Sequence, residues 1–447
     1  MRFPSSFSPL MLLMILGVSS VHGGGGVLLD ACTTNADCGV GLYCATCAFA
    51  GATVPRCIRD EATALTSITS LPYNKVSWLT THNSYAIVGA PLLTGARITF
   101  ENQEDSITSQ LNNGVRALML DTYDFLNDVW LCHSFGGVCY NFTSFEPLLN
   151  TLIEIQTFLA ANPTEIVTIF LEDYVTAPNG LTNVFKAANL TQYWFPVASM
   201  PVGGAAWPTI STMIQNNWRL LVFTSIRSKQ ATEGIAYQWA YMNENQYGSA
   251  GMVPGSCPNR AESQFMNSTG VSLILQNFFR DDPIELDSCK DNSADVYEQL
   301  PVCYAASGDR WANFLAVDFY KQSTGGGSFQ AVDKLNGQQE CGCNSPVSCQ
   351  NQKAAGVCPN DPTLAEFSST FVPTNSTSQG AALTPPTAAG TTTTSQGRLT
   401  TSPVTTSSGP APAPTGAAHC NTVGRTSLGF IVGLALCLLS WASHLPL

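Results

Sequence analysis

The segment Gly114-Val115-Arg116-Ala117-Leu118-Met119-Leu120-Asp121 is a strand-sized apolar run that ends on a carboxylate. Its apolar residues are nearly continuous rather than alternating with polar ones, which is typical of a strand buried on both faces of a parallel sheet. Further runs of this kind lie along the middle of the chain, at residues 76–80, 129–132, 165–171, 219–223, 272–275 and 314–317.

Helical segments lie between several of these runs. Residues 145–159 show apolar side chains at three- and four-residue spacing, and Ser144 is positioned to cap the helix that this spacing predicts. About seven strand–helix units predict an α/β fold, an irregular (β/α) barrel over residues 61–322. A doubly wound open sheet is the alternative, although no Gly-rich phosphate loop follows any of the strands.

Polar side chains follow five of the apolar strands. In a barrel of this kind the chemistry takes place at the carboxyl ends of the strands, so these residues are expected to share one mouth. They are His82 with Asn83, Asp121, His133, Glu172 with Asp173, and Asp318.

Histidine usage sharpens this expectation. The chain has five histidines, of which His22, His419 and His444 lie near its two ends. The two that remain, His82 and His133, both follow predicted strands. A single histidine is usually a core or surface residue whose hydrogen bonds are satisfied. Here both remaining histidines stand at predicted strand ends, which predicts a general base and a general acid.

The overall composition limits the classes of function. The chain has 447 residues, with 19 basic and 31 acidic ones and a net charge of −12. Only 11% of residues are charged and 45% are hydrophobic, which argues against a disordered charged chain and against a nucleic-acid partner.

Both ends of the chain carry the pattern of secretory processing. Residues 1–23 combine Arg2, an apolar stretch and small residues before a cleavage point, which predicts a signal peptide. Residues 417–447 combine small residues, a polar spacer and a short apolar tail, which predicts a GPI-attachment signal; Asn421 is also a candidate attachment residue, and a transmembrane anchor is the alternative. We therefore expect a protein of the secretory pathway, anchored on the extracellular face of the plasma membrane.

A segment rich in Thr, Ser and Pro, residues 361–416, precedes this signal and predicts a disordered, O-glycosylated stalk. Four glycosylation sequons agree with secretion, at Asn141, Asn189, Asn267 and Asn375. Removing both terminal signals leaves 17 basic and 31 acidic residues, a net charge of −14. Anionic membranes repel such a chain, so the lipid anchor rather than charge would hold it at the surface.

Cysteines are concentrated in an N-terminal module, residues 24–60, and in a closing segment, residues 323–360. Fourteen of the sixteen cysteines lie between residues 28 and 360, an even number that predicts seven disulfides whose connectivity the sequence leaves open. Cys44 and Cys47 also match the spacing of a zinc or redox motif, but secretion and the lack of nearby histidines favour structural disulfides.

Four motifs resemble the X domain of phosphatidylinositol-specific phospholipase C, and the layout is similar to that of plant GPI-anchored members. The motifs are Thr81-His82-Asn83-Ser84-Tyr85, Gly114-Val115-Arg116 with Asp121, Trp130-Leu131-Cys132-His133 and Phe170-Leu171-Glu172. The resemblance covers about residues 72–320 and implies a distorted TIM barrel that cleaves the bond between phosphate and diacylglycerol.

Carried over residue by residue, the resemblance assigns three catalytic roles. In the mechanism it implies, the inositol 2-hydroxyl attacks its own phosphate. His82 stabilises the phosphorane transition state, His133 protonates the leaving alkoxide, and Asp318 orients His82. Arg116 is a candidate substrate-binding residue within the second motif, although a structural ion pair is favoured for it over direct catalysis.

The resemblance also implies a metal site. Calcium-dependent members hold the ion at four positions that match Asn83, Met119, Asp121 and Glu172, and Met119 departs from the carboxylate found there. Asn83, Asp121 and Glu172 could still hold Ca²⁺ with water completing its shell. The structural alternative is that these carboxylates form ordinary ion pairs at the barrel mouth.

The substrate expectation is a phospholipid or another phosphodiester. Residues 223–229 provide only two cations, Arg227 and Lys229, in place of the Lys-rich segment that binds inositol phosphates, so unphosphorylated phosphatidylinositol or a glycosyl-inositol lipid is favoured. Two other functions stay open: a non-enzymatic cell-surface binding protein on the same barrel, and a glycerophosphodiester hydrolase. The missing His-Arg-Gly-type motif after the first strand argues against the hydrolase.

Overall fold

The computed structural model describes residues 25–47, 54–65, 67–350 and 356–358. The predicted signal peptide, stalk and attachment signal lie outside these residues, as does Asn375. Among the residues described, no helix has both the length and the apolar character that crossing a membrane requires.

The described residues form twelve strands. They are β1 (Leu42–Ala45), β2 (Arg56–Arg59), β3 (Trp78–Thr81), β4 (Val115–Phe125), β5 (Asp128–Cys132), β6 (Ser144–Pro147), β7 (Val167–Tyr174), β8 (Leu220–Thr224), β9 (Ala236–Tyr237), β10 (Met242–Glu244), β11 (Leu273–Asn277) and β12 (Phe314–Val317).

Nine α-helices accompany these strands in the same part of the chain. They are α1 (Ile107–Asn112), α2 (Leu148–Ala161), α3 (Gly180–Ala187), α4 (Ile210–Gln215), α5 (Lys229–Thr232), α6 (Glu285–Lys290), α7 (Val296–Ala306), α8 (Gly327–Glu340) and α9 (Pro346–Cys349). A π-helical turn, Asp291–Asp295, joins α6 to α7. Short 3₁₀ turns occupy Asn35–Asp37, Ile68–Ser70, Tyr73–Lys75, Thr191–Tyr193, Val197–Ser199, Gln238–Ala240 and Ser249–Gly251.

Eight parallel strands form a curled sheet in the order β10-β11-β12-β3-β4-β7-β8-β9. Along the chain, β3, β4, β7, β8 and β9 pair in succession, as do β10, β11 and β12, and β12 returns to pair with β3, as in a (β/α) barrel. Within the described residues β9 and β10 are not paired, so the barrel is open on that side. This distorted barrel confirms the predicted fold class over the doubly wound sheet, in which the strand order would reverse at a switch point.

The continuous apolar pattern of the strands follows from burial on both faces. In β12, Phe314 and Ala316 point into the barrel interior, while Leu315 and Val317 pack outward beneath the helices. The interior is filled by aliphatic side chains and aromatic rings; Phe170 meets Phe314 edge-on at 5.0 Å between ring centroids. A filled interior of this kind makes the barrel a scaffold whose function is confined to its mouth.

Two local predictions are wrong. Residues 129–132 were expected to form a barrel strand, but β5 pairs antiparallel with the carboxyl-terminal half of the long β4, so the two strands make a hairpin above the barrel. Ser144 lies in β6, which pairs with β5, and does not cap α2. Helix α2 begins instead at Leu148 after Pro147, without a side-chain cap.

Seven disulfides join all fourteen cysteines of residues 28–360, as their even number predicted. The pairs are Cys32–Cys44, Cys38–Cys57, Cys47–Cys289, Cys132–Cys139, Cys257–Cys303, Cys341–Cys349 and Cys343–Cys358. Cys44 and Cys47 bond to different partners, which excludes a redox pair between them. The third disulfide attaches the N-terminal module to helix α6 of the barrel.

Candidate functional site

Strand alternation aims four of the polar strand-end residues into the barrel mouth. Trp78, Ala117, Phe170 and Phe314 all point inward, and successive side chains of a strand alternate between its faces. Residues an even number of positions further along therefore also point inward, and these are His82, Asp121, Glu172 and Asp318. His82, Asp121 and Glu172 line a cleft of about 190 Å³, and Asp318 lies directly behind His82.

His82 is held rigidly by buried groups. Its Nδ1 lies 2.9 Å from Oδ1 of Asp318, a carboxylate that is only 2% exposed. Asn102, which is fully buried, donates from Nδ2 to the same oxygen at 2.9 Å. The ring of Phe279 stacks on the imidazole at 3.6 Å between centroids. These contacts leave Nε2 of His82 as the ring nitrogen available to the cleft.

His133 reaches the mouth from the hairpin rather than from a barrel strand. It follows β5, and its ring also lines the cleft. Its Nδ1 lies 3.1 Å from the carbonyl oxygen of Phe100, so Nδ1 donates and Nε2 is left for the cleft. Burial and the charge of the neighbouring His82 lower the pKa of His133, while the bond to Phe100 partly opposes this shift.

Asn83, Asp121 and Glu172 form an oxygen-rich group beside His82. Asp121 and Glu172 are paired residues on the adjacent strands β4 and β7. Burial, together with the negative charge of Glu172, raises the pKa of Asp121 well above its ordinary range. The Asn83 amide lies 3.1 and 3.3 Å from the two Asp121 oxygens, and it donates to them when its nitrogen faces them.

The side chains of this group are of the types that calcium takes as ligands. Rotating the Asn83 amide presents its oxygen beside two carboxylates, and a hard cation prefers such a set of oxygen ligands. A cation there would also relieve the repulsion between Asp121 and Glu172. Met119 lines the cleft next to them and provides no such oxygen.

Arg116 lies near the amino-terminal end of β4, before Asp121. Its Nε donates to Glu165 at 2.7 Å, and its guanidinium covers the ring of Phe158 at 4.8 Å. It is not among the residues that line the cleft. This geometry favours the structural ion pair over a contact with substrate.

Three other polar residues near the mouth, Asp173, Arg227 and Lys229, also have structural partners. Asp173 points away from the mouth, is 3% exposed and pairs with Lys229 at 2.9 Å. Arg227 lies over the ring of Tyr237, 4.2 Å from its centroid. Because Lys229 pairs with the buried Asp173, it belongs to the barrel wall and does not form a headgroup site.

Sequence reasoning missed several residues of the site. Phe279 and Arg280 follow strand β11, so inspecting the end of the predicted strand 272–275 would have found both. Arg260 also lines the cleft, where its guanidinium lies over Trp239 and Tyr247 and pairs with Glu244 at 3.3 Å. It lies in a loop without a strand end, and nothing in its local sequence distinguishes it.

A family model and two curated relatives name the same family. The PI-PLC X family model (PI-PLC X 1) matches residues 68–336. A PI-PLC X domain-containing protein of Arabidopsis thaliana is 52% identical over 356 residues, which is 79% of this chain and 84% of that protein. PI-PLC X domain-containing protein 1 of Arthroderma benhamiae is 31% identical over 37% of this chain and 50% of its own length. Among solved structures, the phosphatidylinositol-specific phospholipase C of Listeria monocytogenes aligns with a TM-score of 0.40 and 16% identity, covering 61% of this chain and 96% of that chain.

Proposed function

Because the chain belongs to the PI-PLC X domain family, we propose that it is a phosphodiesterase that cleaves a phosphoinositide-type lipid with two histidines. The observation that carries this proposal is the convergence of His82 and His133 on one cleft. Each imidazole has its Nδ1 fixed by an oxygen acceptor, so each offers Nε2 to a bound phosphodiester.

The two histidines support complementary proton transfers. Met119 stands where a carboxylate base would otherwise lie, which leaves His82, oriented by Asp318, to accept the proton of the attacking inositol 2-hydroxyl. The resulting imidazolium stabilises the negative charge of the phosphorane. His133 donates its proton to the glycerol oxygen as the bond from phosphorus to that oxygen breaks. The products are a cyclic inositol phosphate and diacylglycerol.

We propose Asn83, Asp121 and Glu172 as ligands for Ca²⁺. A bound calcium ion would neutralise the phosphate and favour ionisation of the attacking hydroxyl. Without a cation, the two carboxylates of this group oppose the approach of an anionic substrate. The Asn83 amide, 3.1 and 3.3 Å from the two Asp121 oxygens, and the pairing of Asp121 with Glu172 on adjacent strands support this assignment.

The side chains of the cleft favour a lipid substrate whose inositol carries few additional phosphates. Its two arginines are already engaged, Arg260 with Glu244 and Arg280 with Asp291. We therefore propose unphosphorylated phosphatidylinositol or a glycosyl-inositol lipid as the substrate. The seven disulfides support a secreted protein, and we propose residues 417–447 as the signal for a GPI anchor on the extracellular face of the plasma membrane.

The test is release of labelled inositol phosphate from phosphatidylinositol, with calcium or with a chelator. We expect the wild-type protein to be active with calcium and His82→Ala and His133→Ala to be nearly inactive. Equal activity in all three proteins would refute the catalytic assignment. Full activity in chelator would refute the calcium site and leave the histidine mechanism standing.

A second candidate function is binding without turnover on the cell surface. Met119 in the cleft favours it, because one carboxylate ligand of the calcium-dependent members is missing. Tight binding of the lipid with no product under any metal condition would establish this alternative. Cleavage of glycerophosphodiesters in preference to inositol lipids would instead point to the third possibility.

A further inference from the structure

Two loops beside the cleft expose a band of large apolar side chains, which we call the apolar rim. One loop follows β3 and the other joins β5 to β6. Each of these side chains is between 36% and 67% exposed, and the set consists of Val88, Leu92, Leu93, Ile98, Phe100, Phe135, Val138, Tyr140 and Phe142. An exposed patch of this kind on a water-soluble surface indicates an interaction site.

The two loops form one surface, and hydrogen bonds connect them to each other and to His133 in the cleft. Ile98 donates its backbone N–H to the carbonyl of Phe142 at 2.7 Å. The side chain of Thr94 donates to the carbonyl of Asn141 at 2.7 Å. Phe100 of the rim supplies the carbonyl that holds His133. The rim is therefore continuous with the mouth into which a lipid headgroup would enter.

The rim carries little exposed charge, and the neighbouring Glu101, which is 34% exposed, lies 3.9 Å from Arg97. Residues 87–100 and 134–142 contain one charged side chain, Arg97. It is 6% exposed and lies over the ring of Phe145, 4.0 Å from its centroid. A rim with so little exposed charge and three aromatic residues on one loop suits the interface of a lipid layer better than an ionic partner.

A glycosylation sequon interrupts this surface. Asn141 is exposed between Tyr140 and Phe142, whose rings stack at 5.2 Å. The Thr143 of the sequon is 2% exposed and its hydroxyl bonds within the turn, whereas the side chains of Asn141 and Phe142 are exposed. A glycan is bulky and strongly hydrated, and here it would project from the middle of the rim.

We propose that Asn141 is a glycan attachment site whose sugar chain limits how closely the apolar rim docks on a lipid surface. The lipid surface rests on the proposed function, whereas the attachment site does not. In the unglycosylated form the rim can enter the lipid layer, and in the glycosylated form the sugar holds part of it in water.

The experiment uses chains secreted from eukaryotic cells and ending at residue 416, which retain every described residue and lack the predicted lipid anchor. Glycopeptide mass spectrometry measures occupancy of Asn141. Co-sedimentation with phosphatidylcholine vesicles then compares the wild-type protein with Asn141→Gln. These vesicles contain no inositol lipid, so binding does not depend on turnover. We expect Asn141 to be occupied and Asn141→Gln to bind about tenfold more tightly, the effect of one additional apolar side chain entering the lipid.

The matched control is Thr191→Ala, which removes the sequon of Asn189. Asn189 is exposed and has a left-handed backbone with φ 56°, so changing Thr191 avoids disturbing that turn. This variant should bind vesicles as the wild-type protein does. Adding Leu92→Ser and Leu93→Ser to Asn141→Gln should remove the gain, because both side chains are more than half exposed on the rim.

Three results would overturn the proposal: a secreted chain without sugar on Asn141, equal vesicle binding by the wild-type protein and Asn141→Gln, or an unchanged gain after the two leucine substitutions. Cleavage of a soluble short-chain inositol lipid, measured on the same preparations, tests the proposed function separately. Vesicle binding without any cleavage would refute the function and leave the docking proposal standing.

Discussion

The two histidines of the cleft differ in how many contacts hold their rings in place. His82 extends from a barrel strand, and its ring is fixed by the stacked Phe279 and by Asp318, whose carboxylate is itself held by Asn102. His133 lies on a hairpin outside the barrel and is held by the single carbonyl of Phe100. One proposed catalytic group is thus part of the barrel scaffold, while the other belongs to a loop segment that also forms the apolar rim. The difference suggests that a bound substrate adjusts His133 far more than His82.

Removing either imidazole should produce the largest effect. We expect His133→Ala to lower kcat about 10²- to 10⁴-fold, because it removes a general acid. His82→Ala should cause a loss of similar size. A substrate whose leaving group needs no protonation would separate them: with it, His133→Ala should recover most of its activity and His82→Ala should not. Equal recovery of both variants would contradict the division of roles.

Asp318→Asn should give the next largest loss, about 10²-fold in kcat, because both imidazoles remain but His82 loses the carboxylate that sets its tautomer. The double variant with His82→Ala should be no worse than His82→Ala alone, since Asp318 acts through that histidine. Steady-state kinetics on a soluble substrate measure both effects. Additive losses would show that Asp318 acts independently of His82.

The dependence of kcat/KM on pH should reflect the pKa of His133. A general acid must be protonated, and burial and His82 lower the pKa of His133 below its ordinary value of 6.5. The alkaline limb of kcat/KM, which reflects the free enzyme, should therefore begin below pH 6.5. Adding excess salt should move this limb little, since burial is the first cause of the shift. A limb well above pH 6.5 would show that another group is the acid.

Breaking the disulfide Cys132–Cys139 should have the smallest effect on chemistry. It closes a loop of 7 residues that contains His133, so replacing both cysteines by serine should lower the free energy of unfolding by about 2 kcal/mol. Activity should fall only a few-fold, mainly in kcat, because Phe100 still orients the ring. The matched control is the serine variant of Cys341 and Cys349, a loop of 8 residues away from the cleft. An equal loss of activity in that control would show that stability alone is responsible.

The barrel strands were predictable because they are buried on both faces. Residues 314–317 coincide with β12. A short unbroken apolar run is typical of a strand that is buried on both faces. The strands β9 and β10 have only two and three residues and leave no recognisable pattern. Val129 to Cys132 looks like a barrel strand for the same reason that Phe314 to Val317 does, and only the antiparallel pairing distinguishes it.

The site was predictable where it lies on strand ends and unpredictable elsewhere. His82, Asp121, Glu172 and Asp318 follow from alternation along apolar strands. Asn102 and Arg260 act across long sequence separations from loops, and their partners are decided only by the folded chain. The same holds for the cysteines: their even number predicts seven bonds, but pairing Cys47 with Cys289 requires the tertiary structure.

The bond between Cys47 and Cys289 closes a covalent ring across a sequence separation of 242 residues, which includes both histidines and most of the barrel. In the chain-entropy picture, closing so long a loop stabilises the fold by about 5 kcal/mol. A protease that cuts once inside this ring would release no fragment, since both new ends stay attached through the sulfur bridge. Such a nicked molecule would migrate as an intact chain until it is reduced, and its two halves would remain held in register on the same barrel.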